Sequence, residues 1–267
     1  MILDSAWTPG LALSILAVLA YVWPALRARS QGAVVARVWV AIAWLAHAAT
    51  LVMSFLDTPA RFGFAPALSV TAWLIATSYA VESQVFPQLP ARWALSALGA
   101  VSVVLAWLFP GKALPDTVSA WLPLHMAVAI SCYGLFGVAA VHAWFMTRAE
   151  VRMRMGVETQ SGLPLLTLER LTYRFVAAGF VLLTATLVLG YVFGDLVYGH
   201  GHAWRWDHKT VFSLLSWLTF AVLLLGRSRF GWRGKRAVYL LYAGTGFLFL
   251  AYVGSRFVLE VILGRTA

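Results

Sequence analysis

Charge and cysteine are what this chain has least of. Only 11% of its 267 residues are Asp, Glu, Lys or Arg, against about 25% in a soluble domain. There is too little charge to clothe a water-facing surface, which excludes a soluble globular protein. The one cysteine, Cys132, lies inside an apolar run. Its isolation excludes a disulfide framework, a CxxC redox pair and a CxxCH haem-attachment site, and with them a c-type cytochrome or a thiol oxidoreductase. Acidic residues number ten against twenty basic ones. A phosphate loop, paired carboxylates and a nucleophile beside a base are also missing, so the chain is not expected to be an enzyme.

What is present is apolar. Hydrophobic residues make up 61% of the chain and mean hydropathy is +0.81. At about 20 residues per bilayer span and a dozen per connection, the length allows roughly eight membrane helices. Apolar runs bounded by Pro, Gly or charge place them at about 10–27, 36–56, 65–82, 93–109, 121–146, 173–194, 210–226 and 238–259. No Lys or Arg precedes the first run, whereas Arg27 and Arg29 follow it. That order is the reverse of a cleavable signal peptide, so the run is expected to stay as a span with its N-terminus outside. With alternating connections, fourteen of the twenty basic residues then fall inside and six outside, namely Arg61, Lys112, Arg205, Lys209, Arg256 and Arg265. The densest group, Arg227 to Arg236, anchors the inner side. The expected fold class is all-α, a single polytopic domain over 1–267 with eight transmembrane helices and both termini on the outer, periplasmic side. The basic excess belongs to loops and the partners are membrane lipids, with no nucleic acid. The inner connection 147–172 mixes Arg and Glu with Leu and is read as a loop containing a short surface helix.

In this topology four of six histidines, His125, His200, His202 and His208, gather at the outer face. His47 and His142 fall within spans, where imidazole is costly without a partner. For each of those two, an inter-helix hydrogen bond and a ligand or relay role are equally open. The stretch Tyr198 to Trp217, YGHGHAWRWDHKTVFSLLSW, holds three His, three Trp, one Asp and two basic residues. Any single Trp here fits an interfacial belt. The belt does not account for Trp204 and Trp206 interleaved with Arg205, Asp207, His208 and Lys209. Indole faces stack on a flat conjugated ligand, basic groups hold carboxylates, and neutral imidazole ligates iron, which together suit haem. Two His spaced as in HGH suit a divalent metal instead. Asp207 precedes a helical run, so its plainest role is to cap that helix. Trp232 is assigned to the inner belt.

Around this loop the chain resembles a known family. The segment from His200 to Phe212 keeps the WxWDxK core of the tryptophan-rich outer loop of membrane haem-handling cytochrome c assembly proteins of the CcsA/CcmC type. LERLTYRFVAAGF (Leu168 to Phe180) and GWRGKRAVYL (Gly231 to Leu240) look like two further blocks of that family, and Leu124-His125 with Ser131-Cys132-Tyr133 look like a third. The similarity covers about 120–255. In the family, two outer-face histidines ligate the haem. His125 matches one, whereas the segment corresponding to the other reads Gly254-Ser255-Arg256-Phe257-Val258-Leu259-Glu260. This departure resembles the YpjD- and HemX-like branch.

The resemblance implies a bacterial inner-membrane protein that handles non-covalent haem b in cytochrome c assembly, alongside other maturation components. His125, Trp204, Arg205, Trp206, Asp207, His208 and Lys209 would bind the cofactor. The iron would be held by His125 alone or by His125 with His208 opposite. Two alternatives remain open: a HemX-like regulatory or accessory protein with little or no haem binding, and a divalent metal transporter. Against transport, only Glu82 and Glu260 fall near a span.

Overall fold

The computed structural model describes residues 9–27, 33–56, 61–85, 92–113, 121–156, 165–194 and 206–263. Its elements are α1 (Pro9–Leu26), α2 (Ala33–Leu56), β1 (Arg61–Phe62), α3 (Phe64–Val85), α4 (Arg92–Leu108), β2 (Lys112–Ala113), α5 (Trp121–Arg154), α6 (Leu165–Val192), α7 (His208–Phe230) and α8 (Lys235–Ile262). Among the described residues six apolar stretches are long enough to cross a membrane: Arg37–Leu56, Phe64–Gln84, Trp121–Arg154, Leu165–Val192, His208–Phe230 and Lys235–Ile262. Gly10–Pro24 and Ala94–Leu108 are shorter apolar helices. The chain divides into two compact units, Met1–Asp116 and Thr117–Ala267.

In the first unit, α1 packs on α2 and α4, and α3 on α2 and α4. Small side chains let the helices approach closely: Ala17, Ala20, Ala43, Ala46 and Ala100 are all buried. The Tyr21 ring covers Gly99, where a Cβ would come within 2.6 Å of it. β1 pairs antiparallel with β2, Arg61 opposite Ala113 and Phe62 opposite Lys112. The pairing brings the α2–α3 connection against the chain after α4, and those two segments must share a side if the spans alternate. Gly111 makes the turn into β2 at φ 80°, its Cα so close to the Phe62 backbone that a Cβ would lie 2.5 Å from it.

The second unit is built around a stacked aromatic pair, Phe136 on α5 and Phe220 on α7, both fully buried with ring centroids 3.8 Å apart. A glycine backs each ring, Gly179 of α6 behind Phe136 and Gly244 of α8 behind Phe220, at positions where a Cβ would stand about 3 Å from the ring. Val176, Leu183, Leu223, Leu241 and Leu248 complete this core. Ser216 donates to the Gly244 carbonyl at 2.8 Å and the Tyr133 hydroxyl donates to that of Leu248, pinning α8 to α7 and α5. From Leu250 onward α8 widens into π-helical turns, Leu250–Gly254 and Val258–Ile262, a distortion common at functional sites.

One expectation from the sequence is corrected. The connection 147–172 is not chiefly a loop: α5 runs on to Arg154 and α6 begins at Leu165. Helix propensity and the i,i+4 pair of Glu150 with Arg154 carry α5 beyond the end of its apolar stretch.

Candidate functional site

The two ends of the second unit carry its charged chemistry. At the end bearing the Arg227–Arg236 cluster, Glu169 bridges Arg227 at 2.6 Å and Arg233 at 3.1 Å. The Arg227 guanidinium lies 4.6 Å over the Tyr173 ring, and the Tyr173 hydroxyl donates to the Trp232 carbonyl at 3.1 Å. Gly231, at φ 62°, reverses the chain after α7, its N–H bonded to the Arg227 carbonyl and that of Trp232 to the Gly226 carbonyl. The reversal lays the Trp232 indole on Gly226, where a Cβ would fall inside the ring's contact distance. Trp232 is therefore part of this clasp rather than only a belt residue. Two of the blocks that carry the family resemblance meet here, LERLTYR supplying Glu169 and Tyr173, GWRGKR supplying Trp232 and Arg233. The void beside the clasp, about 20 Å³, accepts no more than a water.

The other end holds the residues singled out by sequence. Asp207 caps α7 as expected: its carboxylate accepts from the Thr210 N–H at 2.9 Å, with Asp207 itself extended at φ −95°, ψ 171°. His208 and Lys209 follow on adjacent positions and so point about 100° apart around the helix. His208 is exposed, while Lys209 is half-buried and lies within Coulombic reach of His125, Asp207 and Arg256. His125 stands one turn inside the start of α5. It is half-buried and its Cε1 faces Gly190 of α6, where a Cβ would sit in ordinary contact at 3.5 Å. The start of α5 is held to the end of α6 by Trp121 stacked on Phe193, centroids 4.5 Å apart and nearly parallel. The Trp206 indole is 74% exposed. Trp204, Arg205, His200 and His202 lie outside the described residues.

The C-terminal part of α8 adds three side chains that the sequence reading did not place in the site. Tyr252, Arg256 and Glu260 recur every four residues, hence along one face. The Arg256 guanidinium lies 5.9 Å from the Tyr252 ring centroid, and its Nη1 is 3.8 Å from the Glu260 carboxylate. That spacing was visible in the sequence, where Arg256 counted only as one of six outer-side cations. The arrangement offers an imidazole, two cations and an exposed indole at one end of a helical bundle. These are groups suited to a flat, iron-bearing, carboxylate-bearing ligand, so haem fits the donors present. Among the described residues no three of His, Cys, Asp or Glu come together as a metal site.

His47 resolves differently. It is fully buried, with Nδ1 3.2 Å from the Tyr21 hydroxyl and Nε2 2.8 Å from Ser69 Oγ. Both ring nitrogens are taken by side chains of α1 and α3, the inter-helix hydrogen-bond alternative. His142 is buried and meets the Phe175 ring edge-on.

Helices of this length and hydropathy define a multi-pass membrane protein. The family model for cytochrome c assembly proteins matches residues 33–263, and the chain belongs to that family. It is similar to the cytochrome c biogenesis protein CcsA of Synechococcus sp. (strain RCC307), 28% identical over 181 residues that cover 55% of this chain and 58% of the relative. It is also similar to the inner membrane protein YpjD of Escherichia coli (strain K12), 29% identical over 170 residues, 62% of this chain and 63% of the relative. An uncharacterized 28.8 kDa protein of Azospirillum brasilense is 35% identical over 147 residues, 54% of each chain. The chain thus spans less than two thirds of the length of these relatives. With its apolar helices, the likeness assigns it to the inner membrane as a multi-pass protein.

Proposed function

We propose that this is a haem-handling protein of cytochrome c assembly, which binds non-covalent haem b at the outer end of its second unit and makes or breaks no covalent bond itself. The observation that carries this reading is the half-buried Lys209, two residues past the Asp207 cap and within Coulombic reach of His125 and of Arg256, at the point where the tryptophan-rich loop joins α7. Bound there, haem would supply an iron open to axial ligation and two carboxylates. His125 would ligate the iron. His208, exposed and turned away from Lys209 around α7, is a weaker candidate for a second ligand. Trp204, Arg205, Trp206, Asp207 and Lys209 would complete the set of residues that holds it.

The test is the absorption spectrum of the purified protein. A Soret band with a stoichiometric pyridine haemochrome supports the reading, and its loss in His125→Ala assigns the ligand. A spectrum without haem, unchanged on adding it, overturns it in favour of a regulatory or accessory role. Replacing Trp204 and Trp206 together by Ala lowers haem occupancy if they form the platform. Unaltered occupancy reduces them to membrane anchors.

The same reading includes eight spans, α1 and α4 among them, and both termini outside. The 14-to-6 division of Lys and Arg supports it. A periplasmic phosphatase fused after Lys209 is then active and one fused after Arg233 inactive, and the opposite pattern reverses the orientation.

A further inference from the structure

The clasp end carries more positive charge than its own acids answer. Besides Arg227 and Arg233, which share Glu169, the corner between α7 and α8 presents Arg229, Lys235 and Arg236, all exposed. None of these three is ion-paired among the described residues. Arg229 lies in the last turn of α7, and Lys235 and Arg236 open α8 in a first turn that holds no acid. That turn is the positive end of the helix dipole, so the two cations add to a charge already there. The clasp keeps the corner in shape. Only the segment from Gly231 to Gly234 separates the two helices, which pack along each other. Trp232 lies on Gly226, and the Tyr173 hydroxyl holds the Trp232 carbonyl.

Apolar surface begins directly beside these cations. Phe230 is 75% exposed, and Tyr239, one turn beyond Lys235, is 70% exposed. Tyr242, Ala243, Gly246 and Phe249 continue the exposed surface along α8. At about 100° per residue these positions, with Lys235 and Arg236, fall within about 140° of the helix circumference. One face of α8 therefore has two cations at its head and an apolar stripe below them. Such a face matches an amphipathic anion, a phosphate carried on hydrocarbon chains, whereas a free phosphate or an acidic soluble protein would leave the stripe unused.

We propose that the α7–α8 corner docks an anionic phospholipid. Lys235 and Arg236 hold the phosphodiester, Arg229 adds to the attracting field, and the acyl chains run along the exposed face of α8 below Tyr239. The corner thereby selects anionic over zwitterionic lipid.

The test uses the full chain in neutral detergent with equimolar phosphatidylglycerol and phosphatidylcholine of identical acyl chains, the first bound lipid being counted by native mass spectrometry. Two cations at about fivefold each give an expected preference for phosphatidylglycerol of about twentyfold. Lys235→Gln and Arg236→Gln each lower the ratio by about fivefold, and the double variant brings it near one. Arg236→Lys retains most of it. Replacing Arg152 and Arg154 together by Gln removes the same charge from the end of α5 and leaves the ratio unchanged. Excess inorganic phosphate does not abolish the preference.

Because the ratio compares two lipids on the same variant, a loss of folded protein does not imitate the effect. Equal retention of both lipids by the wild type, as an acidic soluble partner would give, overturns the proposal. An undiminished ratio in the double variant overturns it too, as does an equal fall in the α5 control, which would make the attraction diffuse. A preference that inorganic phosphate abolishes would make the corner an anion site without a lipid. These residues lie at the opposite end of the unit from His125 and Lys209, so haem occupancy stays unchanged in every one of these variants.

Discussion

The two ends of the second unit are built from the same ingredients and arranged in opposite ways. Each has a glutamate and two cations beside an aromatic ring. At the clasp, Glu169 lies within hydrogen-bond distance of both Arg227 and Arg233, and the Tyr173 ring closes over the guanidinium. At the end where α7 begins, Glu260 is 3.8 Å from one cation, the aromatic ring is 5.9 Å away, and the second cation comes from another helix. By these distances the first set is closed and the second open. The buried triad of the first unit, Tyr21, His47 and Ser69, belongs with the closed kind because the protein itself supplies a partner for each imidazole nitrogen.

That contrast can be broken most forcibly at the clasp. Glu169→Ala deprives two guanidinium groups of their common partner and should cost about 2–3 kcal/mol, less than a fully buried pair because Arg233 is largely exposed. A lowered thermal midpoint in detergent with unaltered haem occupancy is the expected pair of results. Changed haem occupancy with unaltered stability would mean that the clasp is functional.

Overpacking the core comes next. Gly244→Val pushes a methyl group into the Phe220 ring, already 2.9 Å from where the first carbon would sit, at a cost of about 2 kcal/mol. A stability equal to wild type would show that the Phe136–Phe220 stack is loose.

His47→Leu should cost about 1.5 kcal/mol, near the upper end for a hydrogen bond between membrane helices, and leave haem occupancy as it was. Haem loss in that variant would move His47 into the functional class. The smallest effect separates the two roles open to Asp207. Asp207→Ala removes the cap at about 1 kcal/mol, whereas Asn also caps well and costs a few tenths. Haem occupancy that falls in Asp207→Asn, despite the intact cap, would show that the carboxylate also acts on the ligand.

How far the sequence could be read depended on the range of the interaction involved. Asp207 followed by a helical run announced its cap, because capping joins residues three apart. Apolar runs announced the helices for the same local reason, although the true ends of α5 and α6 lay in polar sequence where hydropathy carries no signal. The four-residue rhythm of Tyr252, Arg256 and Glu260 was equally local, yet it acquires meaning only beside Lys209, which approaches from α7.

The amino-acid sequence by itself therefore determined that the chain is an all-helical membrane protein, which family blocks it carries and where α7 begins. These follow from composition, periodicity and spacing along a few turns. Tertiary structure alone decided that Glu169 would join Arg227 and Arg233, and that Phe136 and Phe220 would stack between two glycines. It also decided that Lys209 would be half-buried while His208 stays exposed, and that His47 would be satisfied by Tyr21 and Ser69. Each of these depends on which helix faces meet, and the rotation and depth of one helix against another are set by the packing of residues far apart in the chain.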